Sequence, residues 1–366
     1  MNEAQRAIEH CYAQGWTDGL PVVPCDSDQL DAMLARVDRN PEEVLLGMPQ
    51  LGRSVTVRLA AINAVMAGCL PEYFPLLVSA WDSLREEGYA RKGIWQSTTG
   101  TASLLLVNGP VRQEIGINSR GNLFGPGFRA NATIGRAVRL TAMNALGLRP
   151  QELDQATQGT PAKYTACIGE NEEESPWAPL HVDCGLAPEV SAVTAMTMRS
   201  TAHIEARHTA VPEQLLTDIA GTLARTGALL HQTVSACVVL CPEHAHLLAD
   251  AGWSKRDVSA FLYEQSFVPR ETLDRTGKGA VSRISLWRVA RDHPDAVVDE
   301  GADPTRNGIH AMTSPEAVLV VVAGASNSGV SAVVETFGPR GGRPAVTPIP
   351  AQAPGSTQDS RQESRT

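Results

Sequence analysis

The chain has 366 residues, 43% of them hydrophobic, and a formal net charge of −9. That apolar share supports a packed core and excludes wholesale disorder, and the length suits two domains or one large one. The acidic balance argues against sequence-independent nucleic-acid binding, which runs on phosphate neutralisation by Lys and Arg. No run of 18 apolar residues exists, so no membrane span is expected. The first ten residues carry Glu3, Arg6 and Glu9 and lack the basic-then-apolar order of a signal peptide. A cytoplasmic protein with reduced thiols is the expectation for its seven cysteines.

In chain order, residues 2–14 read as a helix. Pro21 and Pro24 make 20–24 extended, and Asp26 or Ser27 caps a helix to about Val37. Ser54 is a candidate cap for a helix with Val57, Ala61, Ile62, Val65 and Met66 at helical spacing. A second helix covers 71–87, and 104–107 is a buried strand closed by Asn108-Gly109-Pro110. A Gly/Asn-rich loop over 118–127 feeds a helix over 131–146. Strands follow at 164–169 and 190–198, separated by a polar, acidic loop. Helices are expected at 212–230, 242–251 and 254–264, with a strand at 236–240. The β-branched run 318–323 is the clearest strand, with 330–336 as a candidate hairpin partner across the turn 324–329. The Pro/Gly/Ser/Gln/Arg-rich stretch 338–366 reads as a disordered tail.

This pattern points to an α/β or α+β fold of two related halves, with mixed sheets and covering helices. The N-terminal half is taken as 1–150 and the C-terminal half as 151–337. One internal echo exists: 57–64 and 138–145 share six of eight positions at an offset of 81. It is either chance between Ala-rich helices or the mark of two helices packed on small faces. The second case would make Asn63 and Asn144 inward groups in need of partners.

Three segments suggest chemistry. In a strand over 164–169, Thr165, Cys167 and Gly169 share a face that lacks bulky apolar groups. Cys167 then stands near a strand end, where α/β proteins bind ligands. Glu170, Glu172, Glu173 and Glu174 follow, and crowded carboxylates cannot all ionise easily, which suits proton transfer beside a thiol. The same acids disfavour the thiolate unless a cation approaches. The run His181-Val182-Asp183-Cys184 is the best metal half-site, but no matching second cluster or HExxH motif accompanies it. The loop 118–131 opens a helix carrying Arg136 and Arg139. With Arg129 it favours an anion, although its spacing is neither Walker A nor a dinucleotide fingerprint. Asp18 is an Asx-turn residue or a site acid. The small residues of 324–329 read as a turn or as an anion cradle.

These segments resemble an uncharacterised bacterial family. Its features are a DGLPVVP segment (18–24), an INAVMAGCxPEY helix (62–73), a GRxxRLxxxN helix (135–144), a KYxxCxxENEExSPWxPLHV segment (163–182) and a PEHA…GWSKxDV segment (242–258). Some members are encoded beside small proteins with a UGSC or CGSC motif, similar to a component of selenoprotein-type reductases. The resemblance implies redox or thiol chemistry and a small CGSC-type partner. It carries no defined activity, and 324–329 is less glycine-rich than the family form.

Three readings follow. The first is an enzyme acting on a small anionic metabolite in a cleft between the halves. Cys167, Glu170, Glu172 and His181 would be catalytic, and Arg129, Asn131, Arg136, Asn171 and Asp18 would bind substrate. The second is a metal-dependent lyase or hydrolase built on His181, Asp183 and Cys184. The third is a non-catalytic subunit that docks a thiol-redox protein. No cofactor is firmly implied, and homo-oligomerisation is left open.

Overall fold

The computed structural model describes residues 1–87, 94–227, 234–282, 287–296, 302–303, 305–337 and 344–351. The chain opens with α1 (Glu3–Ala13) and α2 (Ser27–Leu34), followed by the ribbon β1 (Val44–Met48) and β2 (Arg53–Thr56). Reciprocal capping boxes start both helices, Asn2 with Gln5 and Asp26 with Gln29. Next come α3 (Val57–Ala67), α4 (Phe74–Glu86), β3 (Ala102–Asn108), α5 (Val111–Glu114), α6 (Arg129–Leu146), β4 (Cys167–Gly169), α7 (Leu180–Asp183) and β5 (Ala192–Glu205). Thr56, rather than Ser54, caps α3 by accepting from the Leu59 amide, because β2 runs on through Ser54.

The second part contains α8 (Pro212–Gly227), β6 (Val234–Leu240), α9 (Pro242–Asp250) and α10 (Lys255–Gln265). After these come β7 (Phe267–Pro269), α11 (Arg270–Arg275), β8 (Ala302–Asp303), β9 (Gly308–His310), β10 (Val318–Val322), β11 (Val330–Phe337) and β12 (Val346–Pro348). Among the described residues no helix is long and apolar enough to cross a membrane.

The main sheet is mixed, in the order β10-β6-β11-β5-β3-β4, with β12 added along β5. β3 and β4 are parallel, as are β6 and β10, whereas β5 is antiparallel to both β3 and β11. Read from either edge, this order gives the same plan. The unit α4-β3-α5-α6-β4-β5 is repeated as α8-β6-α9-α10-β10-β11, with β7 to β9 and α11 inserted in the second copy. Residues 206–211 join the two units. The fold is thus α/β with two topologically related halves, which divide at 206–211 rather than at 150/151 because β4 and β5 complete the first.

The sheet curls until its edges meet. Beyond β4, the Asn171 amide donates to the Val322 carbonyl of β10 at 2.7 Å, and the Gly324 amide donates to Ser119 O at 2.9 Å. Alternation then gives every strand an inner and an outer face. Leu104, Leu106, Ile168, Met196, Met198, Cys237, Val239, Val321 and Val334 fill the inside as one cluster drawn from all six strands. The outer face of the first unit packs on α3, α4 and α6, and that of the second unit on α8, α9 and α10.

The structure corrects two expectations about the elements and decides a third between its two readings. β10 and β11 are not a hairpin: β6 lies between them, parallel to one and antiparallel to the other, so 324–329 crosses over β6. Part of the presumed tail belongs to the fold, because β12 pairs with β5, Ile349 is buried, and Ser79 and Ser83 donate to Pro348 O and Ala345 O. The remainder, 338–343 and 352–366, lies outside the described residues. The echo at 57–64 and 138–145 falls on α3, which precedes the first unit, and on α6 within it. These helices pack together, and Asn144 Nδ2 donates to Asn63 Oδ1 at 2.7 Å.

Candidate active site at the sheet tips

Inward positions of β3 run Leu104, Leu106, Asn108, and those of the β4 segment run Ile168, Glu170. Because Leu106 is in register with Ile168, Asn108 and Glu170 form the next inward layer, where the filling turns from apolar to polar. The Glu170 carboxylate is fully buried. Its Oε2 accepts from Asn108 Nδ2 at 2.6 Å and from the Leu180 amide at 2.8 Å. Its Oε1 has Lys255 Nζ at 3.5 Å.

Lys255 is the first residue of α10, where the helix dipole disfavours a cation. Its contacts outweigh that: Nζ donates to Asp183 Oδ2 at 2.9 Å and to Ala178 O at 2.5 Å. The ammonium therefore draws α7 and the 178 turn of the first unit onto the second unit. Trp177 adds to the crossing by donating from Nε1 to Trp253 O at 3.0 Å.

Glu172 accepts at Oε1 from the Gly109 amide at 2.7 Å and from Asn108 Nδ2 at 3.0 Å, and His181 Nδ1 stands 4.0 Å from the same oxygen. Its Oε2 pairs with Arg112 Nη2 at 3.0 Å. Arg112 is buried, donates to Glu170 O at 2.7 Å, and chelates Glu173 at 2.9 and 3.2 Å. That guanidinium holds the Glu173 carboxyl down at about 2. Gly109 has φ +81°, and a Cβ there would stand 2.6 Å from Val190 O, so only glycine brings this amide to Glu172.

Four atoms of this cluster are buried without a hydrogen-bond partner: Asn108 Oδ1, Glu170 Oε1, Asn171 Oδ1 and His181 Nδ1. Each such atom costs about 1–3 kcal/mol in a closed core.

Of the residues expected from sequence, Glu170, Asn171, Glu172 and His181 come together here. Cys167 does not. Its side chain enters the outer core with Leu105 and Val107, facing α6, and burial pushes its thiol far up. The expectation of an uncrowded face failed because the bulky groups there belong to other elements. The thiol that shares the interior with Glu170 is Cys237, which burial and the Glu170 charge push up to about 12.

The expected anion-binding residues are engaged elsewhere. Arg129 donates from Nε and Nη2 to Gly68 O at the end of α3. Arg136 grips both oxygens of Asp18 at 2.8 Å, pinning the 18–21 turn to α6. Asn131 ties Asn118 to Cys167 O. The His181, Asp183 and Cys184 set does not converge, since His181 turns inward while Asp183 takes Lys255. Among the described residues no three His, Cys, Asp or Glu side chains are grouped to hold a metal ion.

The chain matches no family model, no curated protein and no solved structure. Sequence reasoning missed Asn108, Arg112, Lys255 and Cys237. Two of them carried a signal: Asn108-Gly109-Pro110 closes a strand, and Ser254 as a cap fixes Lys255 at a helix start.

Proposed function

We propose that this chain is an enzyme working by proton transfer, with Glu170 and Glu172 as the exchanging carboxylates. Asn108, Arg112 and Lys255 hold them in place, and His181 stands beside Glu172 as a third proton-exchanging group. The observation behind this reading is the set of four buried polar atoms that make no hydrogen bond, one of which, Glu170 Oε1, faces Lys255 Nζ at 3.5 Å. Stable cores avoid such groups, and sites that meet a ligand keep them. Three of the four are acceptor oxygens, so the substrate group that enters carries hydrogen-bond donors, such as a hydroxyl, amine or amide. The proposal drops the thiol nucleophile and the two arginines, because Cys167 faces the outer core and Arg129 and Arg136 are bonded to protein. A cytoplasmic setting belongs to the same proposal, on the ground that the seven cysteines stand outside disulfides.

The test is to incubate the purified chain with a small-metabolite extract and follow depletion by mass spectrometry. Wild type is expected to consume a compound that Glu170→Gln consumes about 10²-fold or more slowly, the scale of a lost acid–base group. A compound consumed equally by wild type and Glu170→Gln removes this carboxylate from the chemistry. No consumption by wild type overturns the enzyme reading.

A further inference from the structure

The opposite end of β4 opens on a cavity of about 540 Å³, a size suited to a small metabolite. Its floor is Asp154, whose carboxylate is almost wholly buried. Lys163 Nζ donates to it at 2.6 and 2.8 Å, Arg139 Nη2 at 2.6 Å and the Ala156 amide at 3.1 Å. Two cations over one carboxylate leave the floor with a net positive charge. The other acid of the cavity, Asp18, is neutralised by its bidentate pairing with Arg136. A part-buried cation in excess of its counter-ion favours an anion.

The donors for that anion are present. Arg139 uses Nη2 on Asp154 and on Leu148 O at 3.1 Å. Its Nε and Nη1 make no bond among the described residues and are not sealed in protein. Lys163 sends its bonds to a single carboxylate, which leaves part of the ammonium for a ligand. Met143, Pro150 and Pro161 supply apolar wall, and Gln158 and Tyr164 are exposed polar wall. Gln151, also lining the cavity, has φ +67°, a conformation a non-glycine residue rarely adopts. Its amide bonds Asp154 O at 3.2 Å, so the loop is bent around the buried acid.

We propose that this cavity is a binding site for a small carboxylate, with the ligand's charge lying against Lys163 and Arg139 above Asp154. The site shares no residue with the Glu170 cluster, so it stands independently of the proton-transfer reading. Oxyanion chemistry could also come from phosphate, which the test separates.

Calorimetric titration of the full chain with succinate, and separately with inorganic phosphate, decides the matter. Succinate is expected to bind wild type and Glu170→Gln alike. Lys163→Met should weaken it about tenfold, the scale of one charge-assisted hydrogen bond. Gln158→Glu, at an exposed position that leaves the melting temperature unchanged, should weaken it about threefold by like-charge repulsion. Absence of succinate binding, binding indifferent to both Lys163→Met and Gln158→Glu, binding lost with Glu170→Gln, or binding of phosphate alone each overturns the proposal.

Discussion

The two units of the sheet share a plan but end differently. At the tip of the first, the residues at and after the ends of β3 and β4 are Asn108, Arg112, Glu170, Glu172 and Glu173, and four buried polar atoms of their neighbourhood make no hydrogen bond. At the tip of the second, the residues after β6 and at the start of β11 are Cys241, His244 and Ser331. There His244 Nδ1 meets Ser331 Oγ at 2.7 Å, Nε2 meets Ala206 O at 3.3 Å, and Ser331 Oγ accepts from the Cys241 amide at 3.1 Å. Every one of those polar side-chain groups is bonded. One copy of the plan is closed as ordinary structure, while the other carries buried charge and open valences. A repeated fold can leave one copy to hold the frame and load its strained polar layer on the other.

Arg112 and His244 occupy corresponding places, each shortly after Pro110 or Pro242 on the helix that follows the strand. Arg112→Met strips Glu172 and Glu173 of their shared cation and is expected to cost about 3–5 kcal/mol, as for a broken buried ion pair. His244→Gln loses neutral hydrogen bonds and is expected to cost about 1–2 kcal/mol. Urea midpoints at unchanged m-values measure both. Equal losses would break the contrast between the tips.

The pH dependence separates the tips a second way. Burial pushes the His244 imidazole below its ordinary 6.5. A depressed folded value gives stability that is present above the unfolded value and lost as pH falls, so the second tip weakens below about pH 6.5. Arg112 holds Glu173 at about 2 against an ordinary 4.5, so its contribution is intact above 4.5 and lost on the way down to 2. Glu173 is partly exposed, and solvent screening keeps this second loss modest. His244→Gln should flatten the stability profile just below pH 6.5 only, and Glu173→Gln below pH 4.5 only. A profile that neither substitution alters would remove titration from the account of both tips.

Local signals made much of the frame legible. The β-branched run of β10, the capping boxes at Asn2 and Asp26, and the helix start at Ser254 are each decided by neighbours in sequence. Half of the site was legible for the same reason, since Glu170, Asn171, Glu172 and His181 lie within twelve residues of one another. The other half was not. Asn108 reaches Glu170 through parallel register, and Lys255 reaches it only because the sheet curls and its edges meet. The misplaced hairpin has the same origin: β10 and β11 are adjacent in sequence, but β6 enters between them, paired with β10 at an offset of 82 residues. Cys167 was misread because a strand's own alternation does not report what helices lay against its outer face.

The smallest expected effect concerns a layer that only the first unit has. There α6 packs on α3, a helix preceding the unit, whereas in the second unit α10 packs on α8. Midway along the join between α3 and α6 lie Asn63, buried, and Asn144, which donates to it at 2.7 Å and also donates to Trp16 O at 3.0 Å. Asn63 in turn donates to Leu59 O at 2.8 Å. Each residue thus keeps one bond to backbone when the other is removed, so the pair term is separable from loss of the groups. A double-mutant cycle of Asn63→Ala and Asn144→Ala is expected to give a coupling of about 1 kcal/mol, the net worth of one partly buried neutral hydrogen bond. A coupling near zero would mean that the shared sequence of the two helices reflects their small packing faces alone. The extra layer of the first unit would then rest on alanine contact and on the Arg129 bonds to Gly68 O, without registration by the asparagine pair.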